Sequence, residues 1–68
     1  MNVGEEIKKR RLARGLSIKQ LADKVGYTYW AVRFWEHNER TLPFDVAENV
    51  FNELGAKLVL EDIDGNQS

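Results

Sequence analysis

Ser17-Ile18-Lys19-Gln20-Leu21-Ala22-Asp23-Lys24-Val25-Gly26-Tyr27-Thr28-Tyr29-Trp30-Ala31-Val32-Arg33-Phe34-Trp35-Glu36-His37-Asn38 is the stretch that decides the fold. Ile18, Leu21, Ala22 and Val25 recur at helical spacing. Ser17 stands ahead of them as a cap whose oxygen can accept from a free helical amide. Gln20, three residues on, has the capping-box spacing. Gly26 stops this helix. Only Tyr27 then precedes Thr28, a second cap candidate, and a further helix is predicted over about residues 28–37. Asn38 ends it, because asparagine enters the left-handed region more readily than most residues. Two short helices joined by a three- or four-residue turn with glycine make a helix-turn-helix.

Upstream, Val3 to Arg14 contains no proline and no glycine after Gly4. Val3 and Ile7 lie four apart, and Lys8 to Arg11 is a basic run. This predicts a first helix with Asn2 as its N-cap, Glu5 at N3 completing a capping box, and Gly15 as its end. Downstream, Thr41-Leu42-Pro43 is a connection, with Pro43 suited to the first position of a fourth helix. There Ala47, Val50, Phe51 and Leu54 form one apolar stripe, and Gly55 closes it. Ala56-Lys57-Leu58-Val59-Leu60-Glu61 is short and rich in β-formers, which predicts a strand. Asp62 to Ser68 is polar apart from Ile63 and reads as a frayed end. The expected fold is all-α, a small bundle of four to five helices with a short C-terminal strand. Residues 1–55 form the helix-turn-helix domain, and residues 56–68 the strand and polar tail.

A chain of 68 residues holds one small core with a net stability of about 3–5 kcal/mol. A two-domain enzyme, a nucleotide-binding α/β sheet and a barrel are excluded by length. There is no cysteine, so neither disulfides nor thiolate zinc sites arise. His37 is the single histidine and cannot build a histidine-rich metal site. No apolar run approaches the ~20 residues of a membrane-spanning helix. Met1 to Glu6 is neither basic nor followed by an apolar stretch, so no secretion signal is visible and a cytoplasmic location is expected. Glu36 and Asp45 are conceivable as an acid/base pair, but no nucleophile or oxyanion site accompanies them. No enzyme activity, cofactor or small-molecule substrate is expected.

The net charge of −1 hides an asymmetry. Residues 1–40 hold nine Lys/Arg against five Asp/Glu, a net of +4, and residues 41–68 hold one against six, a net of −5. A basic front and an acidic back suit one face toward a polyanion and another turned away from it. A mixed solvated surface has the same composition. In a helix-turn-helix the second helix enters the DNA major groove by its N-terminal end while the first lies across the backbone. Helix N-termini present free N–H groups and partial positive charge to phosphates. Ser17 and Thr28 head both N-termini here.

Gly4, Ile7, Arg11, Gly15-Leu16-Ser17, Leu21-Ala22, Gly26, Val32 and Trp35-Glu36, with Pro43 and Leu54-Gly55 further on, resemble the phage-repressor/Cro-type helix-turn-helix family, also called XRE. That family's fold, the lambda repressor-like DNA-binding domain, has four or five helices around one core. Its members regulate transcription, usually as dimers. The resemblance implies a core of Leu16, Leu21, Ala22, Val25, Val32, Trp35 and Leu54. It implies a structural ion pair between Arg11 and Glu36, bridging helix 1 to the end of helix 3. It assigns DNA phosphate contacts to Ser17, Thr28, Asn38 and Arg40, and base reading to Tyr29, Trp30, Arg33 and Phe34; the basic run of helix 1 adds Arg10 as a phosphate candidate.

Two departures stand out. The family usually carries Gln directly after the cap of helix 2, where its amide meets a phosphate, and this chain has Ile18. Base edges are usually read by Arg, Lys, Asn or Gln, whereas the outward stripe of helix 3 is Trp30, Arg33, Phe34 and His37, with Tyr29 beside it. Those aromatics can contact thymine methyls with Arg33 supplying the hydrogen bonds, bind another protein, or pack on neighbouring loops such as that of Phe44. Lys8 and Arg14 read as a solvated face of helix 1, and Lys9 as a further phosphate candidate.

A lone strand exposes unpaired backbone groups and needs a partner. Leu58-Val59-Leu60 is therefore expected to pair with the same segment of a second copy across a two-fold axis, as in some relatives, including antitoxin-type members. Packing as an extended tail on its own domain is the other solution. The reading is a sequence-specific, double-stranded DNA-binding transcriptional regulator, acting as a repressor and a homodimer through helix 3. A toxin-like protein partner is possible by the same resemblance. The alternative is a protein-interaction module that uses the aromatic face of helix 3.

Overall fold

The computed structural model describes residues 2–60 and residue 63. Among them are four helices: α1 (Val3–Ala13), α2 (Ile18–Val25), α3 (Tyr29–Glu36) and α4 (Phe44–Glu53). The caps lie where side-chain chemistry places them. Asn2 Oδ1 accepts from Glu5 N–H at 2.9 Å, and Thr28 Oγ1 from Ala31 N–H at 3.1 Å. At α2 the box is complete: Gln20 N–H donates to Ser17 Oγ at 3.0 Å, and Ser17 N–H to Gln20 Oε1 at 2.8 Å. At α1 only the Asn2 half of the expected box forms among the described residues. Pro43 is the N-cap of α4 rather than its first helical residue. Its ψ of 154° is extended, so the helix begins one position later, with no side-chain cap.

All four helices end the same way. Gly15, Gly26, Asn38 and Gly55 each have a positive φ. The residue after each donates its N–H back to a carbonyl five positions earlier: Leu16 to Arg11, Tyr27 to Ala22, Glu39 to Phe34 and Ala56 to Phe51, at 2.8–3.1 Å. These bonds satisfy carbonyls that a helix end leaves orphaned. At Gly26, φ 79°, the reversal leaves so short a link that only three residues, Gly26, Tyr27 and Thr28, separate α2 from α3.

α3 packs on α1 and α2, and α4 packs on α2. Ile7, Leu21, Ala22, Val25, Val32, Trp35, Ala47, Val50, Phe51 and Leu54 are buried. Burying each large aliphatic among them is worth about 1.5–3 kcal/mol. Leu16, expected in the core, is only half-buried at its edge. Tyr27 sets its ring edge-on against Trp35 at 5.1 Å, closing the bottom of the turn. Asn49 Nδ2 donates to the Val25 carbonyl at 3.3 Å, tying α4 to the end of α2.

The expected C-terminal strand does not form in the single chain: Ala56–Leu60 is irregular, and no strand occurs among the described residues. A strand exists only through backbone bonds to a neighbour, and no segment among the described residues pairs with this one. Leu58 is half-buried against the core, while Val59 and Leu60 are exposed. Glu61 and, apart from Ile63, the polar stretch from Asp62 to Ser68 lie outside the described residues. No helix among the described residues is long and apolar enough to cross a membrane.

Candidate nucleic-acid interface

The inner face of α3 is clamped to α1 at three points. Arg11 and Glu36 form a buried, two-pronged pair: Nε donates to Oε2 at 2.6 Å and Nη2 to Oε1 at 3.0 Å. Arg11 Nη1 also donates to the Leu16 carbonyl at 2.8 Å, so the fork holds the α1–α2 turn as well. No buried side-chain nitrogen or oxygen among the described residues lacks a partner. Gly4 is the second point. A Cβ there would stand 2.5 Å from the Trp35 carbonyl oxygen and 2.7 Å from that of Glu36, so backbone meets backbone. Asn38 is the third. Its Oδ1 accepts from Gly4 N–H at 3.1 Å and its Nδ2 donates to Asn2 Oδ1 at 2.8 Å. One residue thus ends α3 and helps cap α1.

With Val32, Trp35 and Glu36 turned inward, the other face of α3 points to solvent. Tyr29, Trp30 and Arg33 are exposed, Trp30 at 59%, and Phe34 is half-buried. The rings form one continuous surface. Tyr29 and Trp30 are perpendicular with centroids 5.1 Å apart, and Trp30 and Phe34 are tilted with centroids 6.3 Å apart. The Arg40 guanidinium lies over Phe34, 5.3 Å from its centroid, a cation–π contact. All four residues assigned to base reading therefore share one face, with Arg40 at its edge. Phe44 is itself exposed. The half-burial of Phe34 is partly the stacked Arg40, a contact across the turn that no local spacing announces.

The phosphate candidates divide. Thr28 and Ser17 are exposed at the N-termini of α3 and α2, their oxygens accepting cap bonds and their hydroxyl protons free to donate outward. Asn38 spends its oxygen and one amide hydrogen on α1, leaving one hydrogen. Arg10 does not join the aromatic face. Its Nε donates to Glu6 at 2.9 Å, and it lines a cleft with Phe51 and Ala56 to Val59. Lys19 is paired with Asp23 at 3.1 Å. Gln20, given only a capping role from sequence, keeps its amide NH2 exposed at the N-terminus of α2. The capping-box spacing already placed it there, so the signal was present.

Leu58 turns into a mainly apolar groove of about 610 Å³ that it shares with Val3, Leu42, Phe44, Ala47 and Phe51. Val59 and Leu60, 65% and 79% exposed, remain unpartnered within the described chain. The triplet Leu58-Val59-Leu60, expected to pair with a second copy, is therefore split: one residue on its own core, two in solvent. A family model described as Helix-turn-helix matches residues 7–60. No curated protein and no solved structure gives a significant match.

Proposed function

The chain belongs to the XRE-type helix-turn-helix family of DNA-binding regulators, and from that premise we propose that it is a sequence-specific transcriptional repressor that binds duplex DNA as a homodimer with α3 in the major groove. The observation that carries this reading is the outward face of α3. It is free on one side and fixed on the other by the Arg11–Glu36 pair and the Gly4 contact. A reading helix needs that rigidity, because base contacts discriminate only when side chains arrive in a set register. The N-termini of α2 and α3 carry the phosphate contacts, through Ser17, Thr28 and their free amides. Arg40 adds a charge at the edge of the aromatic face, stacked on Phe34. Exposed Val59 and Leu60 support pairing of two copies, which sets two recognition helices about 34 Å apart, one turn of DNA. The cell interior, where its target lies, is the location that follows.

A second reading draws on the same face. Exposed Tyr and Trp are the usual anchors of protein interfaces, and −5 on residues 41–68 works against tight DNA binding. Selection of the full chain against a random duplex library, followed by titration at low and moderate salt, separates the two. A DNA regulator enriches one operator and loses affinity steeply as salt rises. Arg33→Ala then costs roughly 1–3 kcal/mol and relaxes preference at one base pair. Failure to enrich any duplex moves the assignment to the protein-interaction module.

A further inference from the structure

The outward face of α3 carries an unusual inventory for base reading: three rings in contact and a single guanidinium fork. Tyr29, Trp30 and Phe34 make a continuous apolar surface, and Arg33 is exposed beside them. No Asn or Gln lies on α3, so the bidentate adenine contact has no donor–acceptor pair to make it. Arg33 matches guanine O6 and N7. The remaining base edges opposite the rings present amino groups, carbonyl oxygens or methyls. Covering an amino group or a carbonyl with a ring strips its water and returns nothing. Covering a methyl removes apolar surface from water. The only apolar feature of the major-groove edges is the pyrimidine C5-methyl group.

Resting on the reading of α3 as a DNA-recognition helix, we propose that its aromatic surface is a reader of pyrimidine C5-methyl groups, with Trp30 at its tip, flanking a guanine held by Arg33. Two pyrimidines carry that group, thymine and 5-methylcytosine, and they differ at C4 rather than C5. The ring stack suits the task because its members hold one another. Tyr29 meets Trp30 edge-on, Phe34 lies tilted beside Trp30, and Arg40 closes over Phe34. A surface so braced loses little side-chain freedom on binding.

The test uses the full chain and the duplex enriched from a random library, resynthesised with deoxyuridine for thymine beside the selected guanine. This substitution removes the methyl and leaves every hydrogen-bonding group in place. Affinity should fall about fourfold for each contacted methyl. A parallel pair of duplexes compares cytosine with 5-methylcytosine at the same steps. A gain in both arms supports reading of the methyl on either base, and a gain with thymine alone makes thymine the source. Trp30→Ala, at an exposed position, should bring the thymine and deoxyuridine affinities together. Equal affinity of the unmodified chain for those two duplexes overturns the proposal while leaving DNA reading by α3 intact. So does a thymine preference that survives Trp30→Ala. Absence of any enriched duplex overturns the DNA reading and this inference with it.

Discussion

Arg11 makes three hydrogen bonds from one guanidinium, two to Glu36 and one to the Leu16 carbonyl, in a site shielded from water. Removing it strands a buried carboxylate, which costs on the order of 3–5 kcal/mol, as much as a domain this small holds in reserve. Arg11→Met should therefore lose cooperative thermal unfolding at room temperature or close to it. Replacing both partners with apolar residues should recover much of that loss, because the stranded charge is gone. An unchanged melting temperature for Arg11→Met would show that the pair is dispensable. Gly4 poses a contest between two effects. Alanine is better than glycine in a helix by at most about 1 kcal/mol, the interior value, and Gly4 lies in the first turn; the alanine Cβ would meet two backbone oxygens that cannot rotate away. Relieving such an overlap means moving α1 off α3, at about 1–3 kcal/mol. Calorimetry of Gly4→Ala should show a lowered melting temperature; a raised one would mean the contact has slack. The sequence marked both residues, but it showed the partner only for Arg11, through resemblance. That Gly4 is small because α3 ends against it follows from the helix crossing alone.

Asn2, Ser17 and Thr28 open the first three helices, and Gly15, Gly26, Asn38 and Gly55 close all four. The element most exposed to error is α3, eight residues long and too short to persist without its cap and its packing. Thr28→Ala removes the bond to Ala31 N–H and should cost about 1 kcal/mol, a fall of roughly 4–8 °C in melting temperature for a domain of this size. Thr28→Ser should restore it. If alanine and serine melt alike, the cap bond contributes nothing. These boundaries were legible because caps and C′ residues are local chemistry. The start of α4 was misplaced by one residue because proline satisfies both positions sterically, and the choice depends on the ψ angle that the preceding turn imposes. The strand expected over Ala56–Glu61 rests on composition, and composition cannot supply the neighbour a strand requires.

At the scale of the molecule, the open question is what meets Val59 and Leu60. A chain that leaves two adjacent apolar residues in solvent, next to an open groove that its own Leu58 helps to line, is suited to association with a second copy. Sedimentation of the full chain should give a dimer at high micromolar concentration, and truncation after Gly55 should give a monomer. A monomeric full-length chain at that concentration would sink the homodimer. The two outcomes also bear on DNA: a dimer should select a two-fold symmetric operator with half-sites about one turn apart, a monomer a single short site.

The amino-acid sequence by itself determined the helices, their order and the tight turn that makes a helix-turn-helix, because caps, glycines and apolar spacing act over four or five residues. It also determined the face of α3 that carries Tyr29, Trp30, Arg33 and Phe34, since a helical period follows from spacing alone. Only the tertiary structure decided how that face is held. Asn38 turned out to bind α1, Arg10 to lie with the C-terminal segment, Arg40 to stack on Phe34, and Leu58 to fold onto its own core. Each of these depends on where two elements cross, and a crossing is set by the packing of many side chains at once, which no local stretch of sequence specifies.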